Sequence, residues 1–178
     1  MKSIVTDIKF ECLRCSQCCS NLLRETDGIL RGLALTPEEI DLFPSEHVLP
    51  SISIGAYGRP KKVVAFQMDL NRCPHLEGSS CLIYDKRPIE CRIYPFEVKT
   101  KNQNQVLIID NRCKWYRDEI VSKGLRKKLF ANHEKVGIPS EINDYLTKRF
   151  KFYDEIWKQD FWLFDLNRKT WVKIFKKK

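Results

Sequence analysis

Four cysteines fall within eight residues near the N-terminus, in Cys12-Leu13-Arg14-Cys15-Ser16-Gln17-Cys18-Cys19. A Cys-x-x-Cys turn lets two thiolates face one metal centre while backbone N–H groups point at the sulfurs. Thiolates this close repel one another strongly unless a cation sits between them. Cys73, Cys81, Cys91 and Cys113 follow downstream and read as the remaining ligands. Eight thiolates suit two zinc ions in four-Cys sites, or one or two iron–sulfur clusters. Cys12-x2-Cys15-x2-Cys18 with the remote Cys73-Pro74 echoes the three-plus-one ligation of ferredoxins, which leans towards iron. Short Cys-x-x-Cys turns serve structural zinc as well, so the metal stays open. The adjacent Cys18 and Cys19 can serve different centres, and spacing alone does not divide the ligands.

Other chemistry-bearing side chains read more plainly. His75 and His47 are candidate nitrogen ligands, yet eight sulfurs leave little need for them. Arg87 and Arg92 could orient an anionic substrate, but neutralising thiolate charge or pinning backbone carbonyls is the simpler role. Asp69, Asp85 and Glu90 have no spacing that compels acid–base work, and Tyr84 and Tyr94 read as packing. There is no Gly-rich nucleotide loop, no Walker A pattern and no His-Glu-x-x-His.

The elements that must position the cysteines are short. Residues 4–10 suggest an edge strand leading into the cysteine turn, and residues 29–35 a second strand. Thr36-Pro37-Glu38-Glu39 is a helix start, with Thr36 at the N-cap, Pro37 first in the helix and Glu39 completing a capping box. Residues 48–54 and 61–70 read as strands around a turn at 55–60, with Val63, Ala65 and Gln67 alternating against Val64, Phe66 and Met68. Residues 71–96 carry three cysteines in loops and a short helix. A hairpin of residues 96–100 and 105–110 returns Cys113 towards the other sulfurs. Helical periodicity then predicts helices over 115–135 and from about 140 to 159, broken at Gly137-Ile138-Pro139. A last hairpin pairs 161–166 with 170–175.

Charge and composition divide near Cys113. Residues 1–113 hold 15 Lys+Arg against 14 Asp+Glu, while 114–178 hold 17 against 9. All eight cysteines lie in the first part and all four tryptophans in the second. The expected fold class is α+β: a small, irregular, metal-stapled module over 1–113, with a basic helix–helix–hairpin extension over 114–178 packed on it. Lysines and arginines interleaved with Phe150, Phe152, Trp162 and Trp171 could bind RNA through phosphates and stacking, or an acidic protein. The alternative is that the aromatics form a core and the lysines its solvated face. No run approaches the roughly 18 apolar residues of a membrane span, and the first residues lack the apolar core of a secretory signal. The expected location is the cytosol. There, clustered cysteines are metal ligands more often than disulfides, and a vicinal pair suits a disulfide framework badly.

The cysteines and their flanks, Leu35-Thr36-Pro37-Glu38-Glu39-Ile40, Cys81-Leu82-Ile83-Tyr84, Arg87-Pro88, Cys91-Arg92 and Tyr94-Pro95-Phe96, resemble the CxxCxxCC family, the YkgJ-like zinc- or iron-chelating proteins. The resemblance spans about residues 9–113 and implies that Cys12, Cys15, Cys18, Cys19, Cys73, Cys81, Cys91 and Cys113 are metal ligands. In flagellin lysine methylases that share the motif, it is linked to a four-iron (4Fe–4S) cluster. The expected function is metal binding, structural or electron-transferring, through a macromolecular partner. A cluster-dependent methyltransferase or oxidoreductase, or a zinc-stabilised RNA- or ribosome-associated protein, are the alternatives.

Overall fold

The computed structural model of the chain describes Phe10, residues 12–101, residues 104–122, Gly124 and residues 140–174. The strand expected at 4–10, apart from Phe10, lies outside these residues. So do most of the helix expected over 115–135, the basic cluster Lys123 and Arg126–Lys128, and Lys176–Lys178.

Strands β1 (Arg24–Thr26) and β2 (Ile29–Arg31) pair antiparallel across Asp27-Gly28, whose φ values of 53° and 72° are both left-handed. That is the two-residue hairpin turn whose twist matches its flanking strands. The strand expected at 29–35 breaks at Gly32 and resumes as β3 (Leu33–Leu35). A Cβ at Gly32 would lie 1.7 Å from the Met68 carbonyl oxygen, so only glycine lets the two backbones approach this closely. Next comes the expected short helix, Pro37–Leu42, with its capping box intact. It is wound as a 3₁₀ helix, the usual form for so few turns.

Strand β4 (Val48–Ala56) is longer than expected, and β5 (Arg59–Met68) starts and ends two residues early. The turn shrinks to Tyr57-Gly58, at φ 54° and 76°, and Gly55 and Pro60 pair within the ladder. A two-stranded hairpin, β6 (Leu76–Glu77) and β7 (Ser80–Cys81), precedes helix α1 (Ile89–Ile93). Strands β8 (Phe96–Lys101) and β9 (Asn104–Ile109) form the expected hairpin. Instead of an α-helix, Tyr116–Val121 is a π-helical turn, in which Ser122 N–H donates to the Arg117 carbonyl at 3.0 Å. Helix α2 (Ser140–Trp157) and the hairpin β10 (Asp160–Asp165) with β11 (Thr170–Ile174) agree with the periodicity.

The result is a mixed α+β fold whose five-stranded antiparallel sheet runs β11-β10-β4-β5-β3. It joins strands from both sides of residue 113. Gln67, with no exposed surface, stitches it together. Its Oε1 accepts from Gly32 N–H at 3.0 Å, and its Nε2 donates to the carbonyls of Pro50 and Phe164 at 2.8 and 3.1 Å. Buried Asp165 accepts from Leu30 and Asn167 N–H at 3.4 and 2.9 Å, locking the β1–β2 hairpin onto β10. Ile156 of α2 packs on Ile52, Ala65 and Phe161 of the sheet. Ile142 and Leu146 of α2 pack on Ile93, Phe96, Trp115 and Ile120. Trp162 is buried and Trp157 is half exposed.

Glu39 couples this scaffold to the cysteines. Its Oε2 accepts from Thr36 N–H at 2.9 Å and its Oε1 from Ile89 N–H at 2.7 Å, so one carboxylate caps both the 3₁₀ helix and α1. Glu39→Ala is expected to cost about 1–3 kcal/mol, the loss of two charge-assisted bonds at helix starts. The urea midpoint will read this, with Glu39→Gln losing less. Gln67→Leu strands three backbone groups in the interior and is expected to cost about 3–5 kcal/mol. A midpoint within error of the wild type would show that Gln67 does not hold the sheet.

Candidate metal centre

The N-terminal cysteine loop is shaped by two left-handed residues, Arg14 (φ 49°) and Ser16 (φ 57°). They fold it into a turn that ends in the 3₁₀ helix Cys18–Ser20, with Cys19 and Ser20 N–H both donating to the Ser16 carbonyl. Cys73 N–H then donates to the Cys19 carbonyl at 2.8 Å, and Leu22 N–H to Asn71 O at 2.9 Å. These bonds clamp the first cysteine segment against the second. Leu82 N–H donates to His75 O at 2.9 Å, closing the small hairpin that presents Cys81. Cys91 sits in α1. Cys113 is held by its N–H on Asp110 O at 3.1 Å, where the β8–β9 hairpin returns to the Pro95 carbonyl through Asp110 N–H.

All eight cysteines line a single cavity of about 450 Å³. All are free thiols. Cys113 is buried, Cys15 exposed and the others half-buried. The sulfurs of Cys18 and Cys19 are 3.9 Å apart. Among the described residues no three His, Cys, Asp or Glu side chains close into a metal-ligating group. The thiols therefore ring a space rather than converge on a point. Their soft donor chemistry fits zinc or iron–sulfur ligation.

Electrostatics inside this ring are those of thiols lacking a cation. Cys18 is lowered to about 7, first by the hydrogen bond from the Cys19 thiol and also by backbone N–H groups and Arg87, against the effect of burial. Cys19 is raised, chiefly because it donates that bond, then by burial and by the charges of Cys18, Cys91 and Cys73. Burial is the main cause raising Cys91, Cys73 and Cys113, and neighbouring thiolates raise each further. One thiolate is favoured here, and each additional one is penalised by those already formed.

The remaining candidates take structural places. His75 Nε2 is 2.6 Å from the Leu42 carbonyl and packs on Phe43. His47 Nδ1 pairs with Asp69 Oδ1 at 3.0 Å. Neither histidine lines the cavity. Arg92 holds backbone carbonyls, donating to Arg87 O at 2.6 Å and Asp85 O at 2.8 Å, and also donates to the Tyr145 hydroxyl at 2.7 Å. Arg87 donates to Tyr84 O at 2.8 Å and stacks 3.7 Å from the Tyr84 ring centre. Tyr94 lines the cavity, its hydroxyl raised by burial and by Asp110 and Cys113.

Glu90 is the one acid–base candidate on the cavity wall, and it forms an ion pair with Arg149 of α2. Burial raises its carboxyl, and Arg149 opposes that rise. Arg149 and Tyr153 were missing from the sequence-derived site, although both line the cavity. A signal for them exists. Ile142, Leu146, Arg149, Tyr153 and Ile156 follow a four-three spacing along α2, which puts a charged residue in the apolar stripe.

Residues 11–118 match the CxxCxxCC family, described as a "putative zinc- or iron-chelating domain". No curated protein matches the chain. No solved structure matches it either. Because the match spans more than half of the residues and includes all eight cysteines, the chain belongs to the CxxCxxCC family.

Proposed function

We propose that the eight cysteines hold an iron–sulfur centre, with zinc as the competing metal, and that the protein works through a macromolecular partner. One observation carries this reading: thiols from distant segments of the chain surround a single cavity. The three-plus-one spacing of Cys12-x2-Cys15-x2-Cys18 with the remote Cys73-Pro74 leans the choice towards an iron–sulfur centre over mononuclear tetrahedral zinc. When bound, such a centre supplies either one-electron chemistry or a rigid staple. The chain's own residues do the rest. Arg87 offsets thiolate charge at Cys18 and Cys91, Glu39 holds α1 and with it Cys91, and the Cys19–Cys73 backbone bond keeps the two cysteine segments together.

For the partner, α2 carries the exposed Lys148 and Lys151, three residues apart. The aromatics of the β10–β11 hairpin are engaged internally: Trp162 is buried beneath Lys173, and Phe164 packs edge-on against Trp171. That favours an acidic protein over stacked RNA bases. Among the described residues no helix is long and apolar enough to cross a membrane.

Anaerobic purification followed by iron, sulfide and zinc analysis and a visible spectrum tests the centre. Iron with sulfide and a brown colour is the expected result. Colourless protein with about two zinc ions would select the zinc reading, and metal-free protein would sink both. Cys18→Ser and Cys91→Ser should each lower metal affinity more than about 100-fold, beyond the loss typical of an outer partner. Because Cys19, Cys73, Cys91 and Cys113 are all raised, they hold their protons at neutral pH and metal must displace them. Metal uptake should release protons, and affinity should strengthen by about tenfold per pH unit for each proton displaced. Calorimetry in buffers of different ionisation enthalpy measures this, and an enthalpy independent of buffer would contradict it.

A further inference from the structure

Arg24 and Arg31 face each other directly across the β1–β2 pair, and both line the cavity. Like charges in that position weaken strand pairing. Arg24 is compensated, with its guanidinium 3.5 Å from Asp110 Oδ2. Among the described residues no carboxylate stands within ion-pair distance of the half-buried Arg31. Nor is Arg31 needed to steady the thiolates, because Arg87 is the cation acting on Cys18 and Cys91.

What Arg31 does reach is the charge field of Tyr153, another cavity residue. The Arg149 guanidinium lies 5.0 Å from the Tyr153 ring centre and pairs with Glu90. Arg149 and Glu90 are set deep among other residues, yet 22% and 23% of their side chains remain accessible. Both line the cavity. A volume of about 450 Å³ lies in the range of small-molecule sites, roughly 300–1,000 Å³.

We propose that Arg31, Tyr153 and the Glu90–Arg149 pair bind the carboxylate of a small organic molecule within the cavity that the cysteines line. A guanidinium without a counter-ion and a phenolic O–H make a fork for a planar carboxylate. Glu90 and Glu97 on the same wall disfavour the two charges that a phosphate dianion concentrates on one tetrahedral group, whereas a dicarboxylate such as succinate carries its two charges on separate planar groups. Arg31 and Glu90 lie within residues 11–118 and Arg149 and Tyr153 beyond them, so the rest of the chain completes this site.

Succinate titrated by calorimetry into the full chain, purified anaerobically with its metal, tests the site. Saturable binding is expected, weakened at least about tenfold in Arg31→Ala by loss of one bidentate pair. Arg31→Lys should fall between, and Arg168→Ala, on an exposed turn, should match the wild type. Inorganic phosphate should bind more weakly than succinate. Absence of saturable succinate binding, equal affinity in Arg31→Ala, or tighter binding of phosphate would each overturn the proposal. Metal analysis of the same samples separates it from the metal reading: Arg31→Ala should keep the wild-type metal content. Succinate binding through Arg31 in metal-free protein would refute the centre and leave this site standing.

Discussion

Mutual repulsion among thiolates is the constraint on which this structure turns. Eight sulfurs ring one cavity, and in the absence of a cation the low-cost state is one thiolate at Cys18 with its neighbours protonated. A bound cation favours the thiolate at every one of these cysteines, because it attracts what the thiolates repel. The surrounding fold can then be read as the means of holding four chain segments near one another in spite of that repulsion. Backbone hydrogen bonds do most of this, through Cys73 on Cys19, Cys113 on Asp110, and α1 on Glu39.

The scaffold is stiff where it must be. Gln67 and Asp165 place two polar side chains in the interior, each satisfied by backbone from separate segments of the chain. Such groups specify one arrangement, since any slip in register leaves buried donors unpaired. Through Gly32 and the β1–β2 hairpin, that rigidity reaches the cavity wall where Arg31 lies.

Much of this was legible in the sequence, for physical reasons. The cysteines that the spacing singled out line one cavity, and Thr36-Pro37-Glu38-Glu39 marked a helix start that the structure keeps. The stripe of apolar residues from Ile142 to Ile156 located α2. Less legible was whatever depends on distant backbone. Gly55 and Pro60 have turn chemistry, yet they lie in a ladder because Tyr57 and Gly58 alone complete the reversal. Glu39 announced one cap and supplies two, the second to a residue fifty positions away. Arg149 looked like one more surface cation, and only the packing of α2 on α1 turns it towards Glu90.

Strand β10 lies between β11 and β4, and this has a consequence for any shortened form of the chain. A chain stopping at residue 118 would strip the β4 edge of its partner and leave Ile52 and Ala65 without the cover of Ile156 and Phe161. The bared edge would present a row of unsatisfied N–H and C=O groups above an apolar face, a template for a second copy to join. The β10–β11 hairpin thus covers the long β4 edge and its apolar face, and leaves the shorter β11 as the outer strand of the sheet.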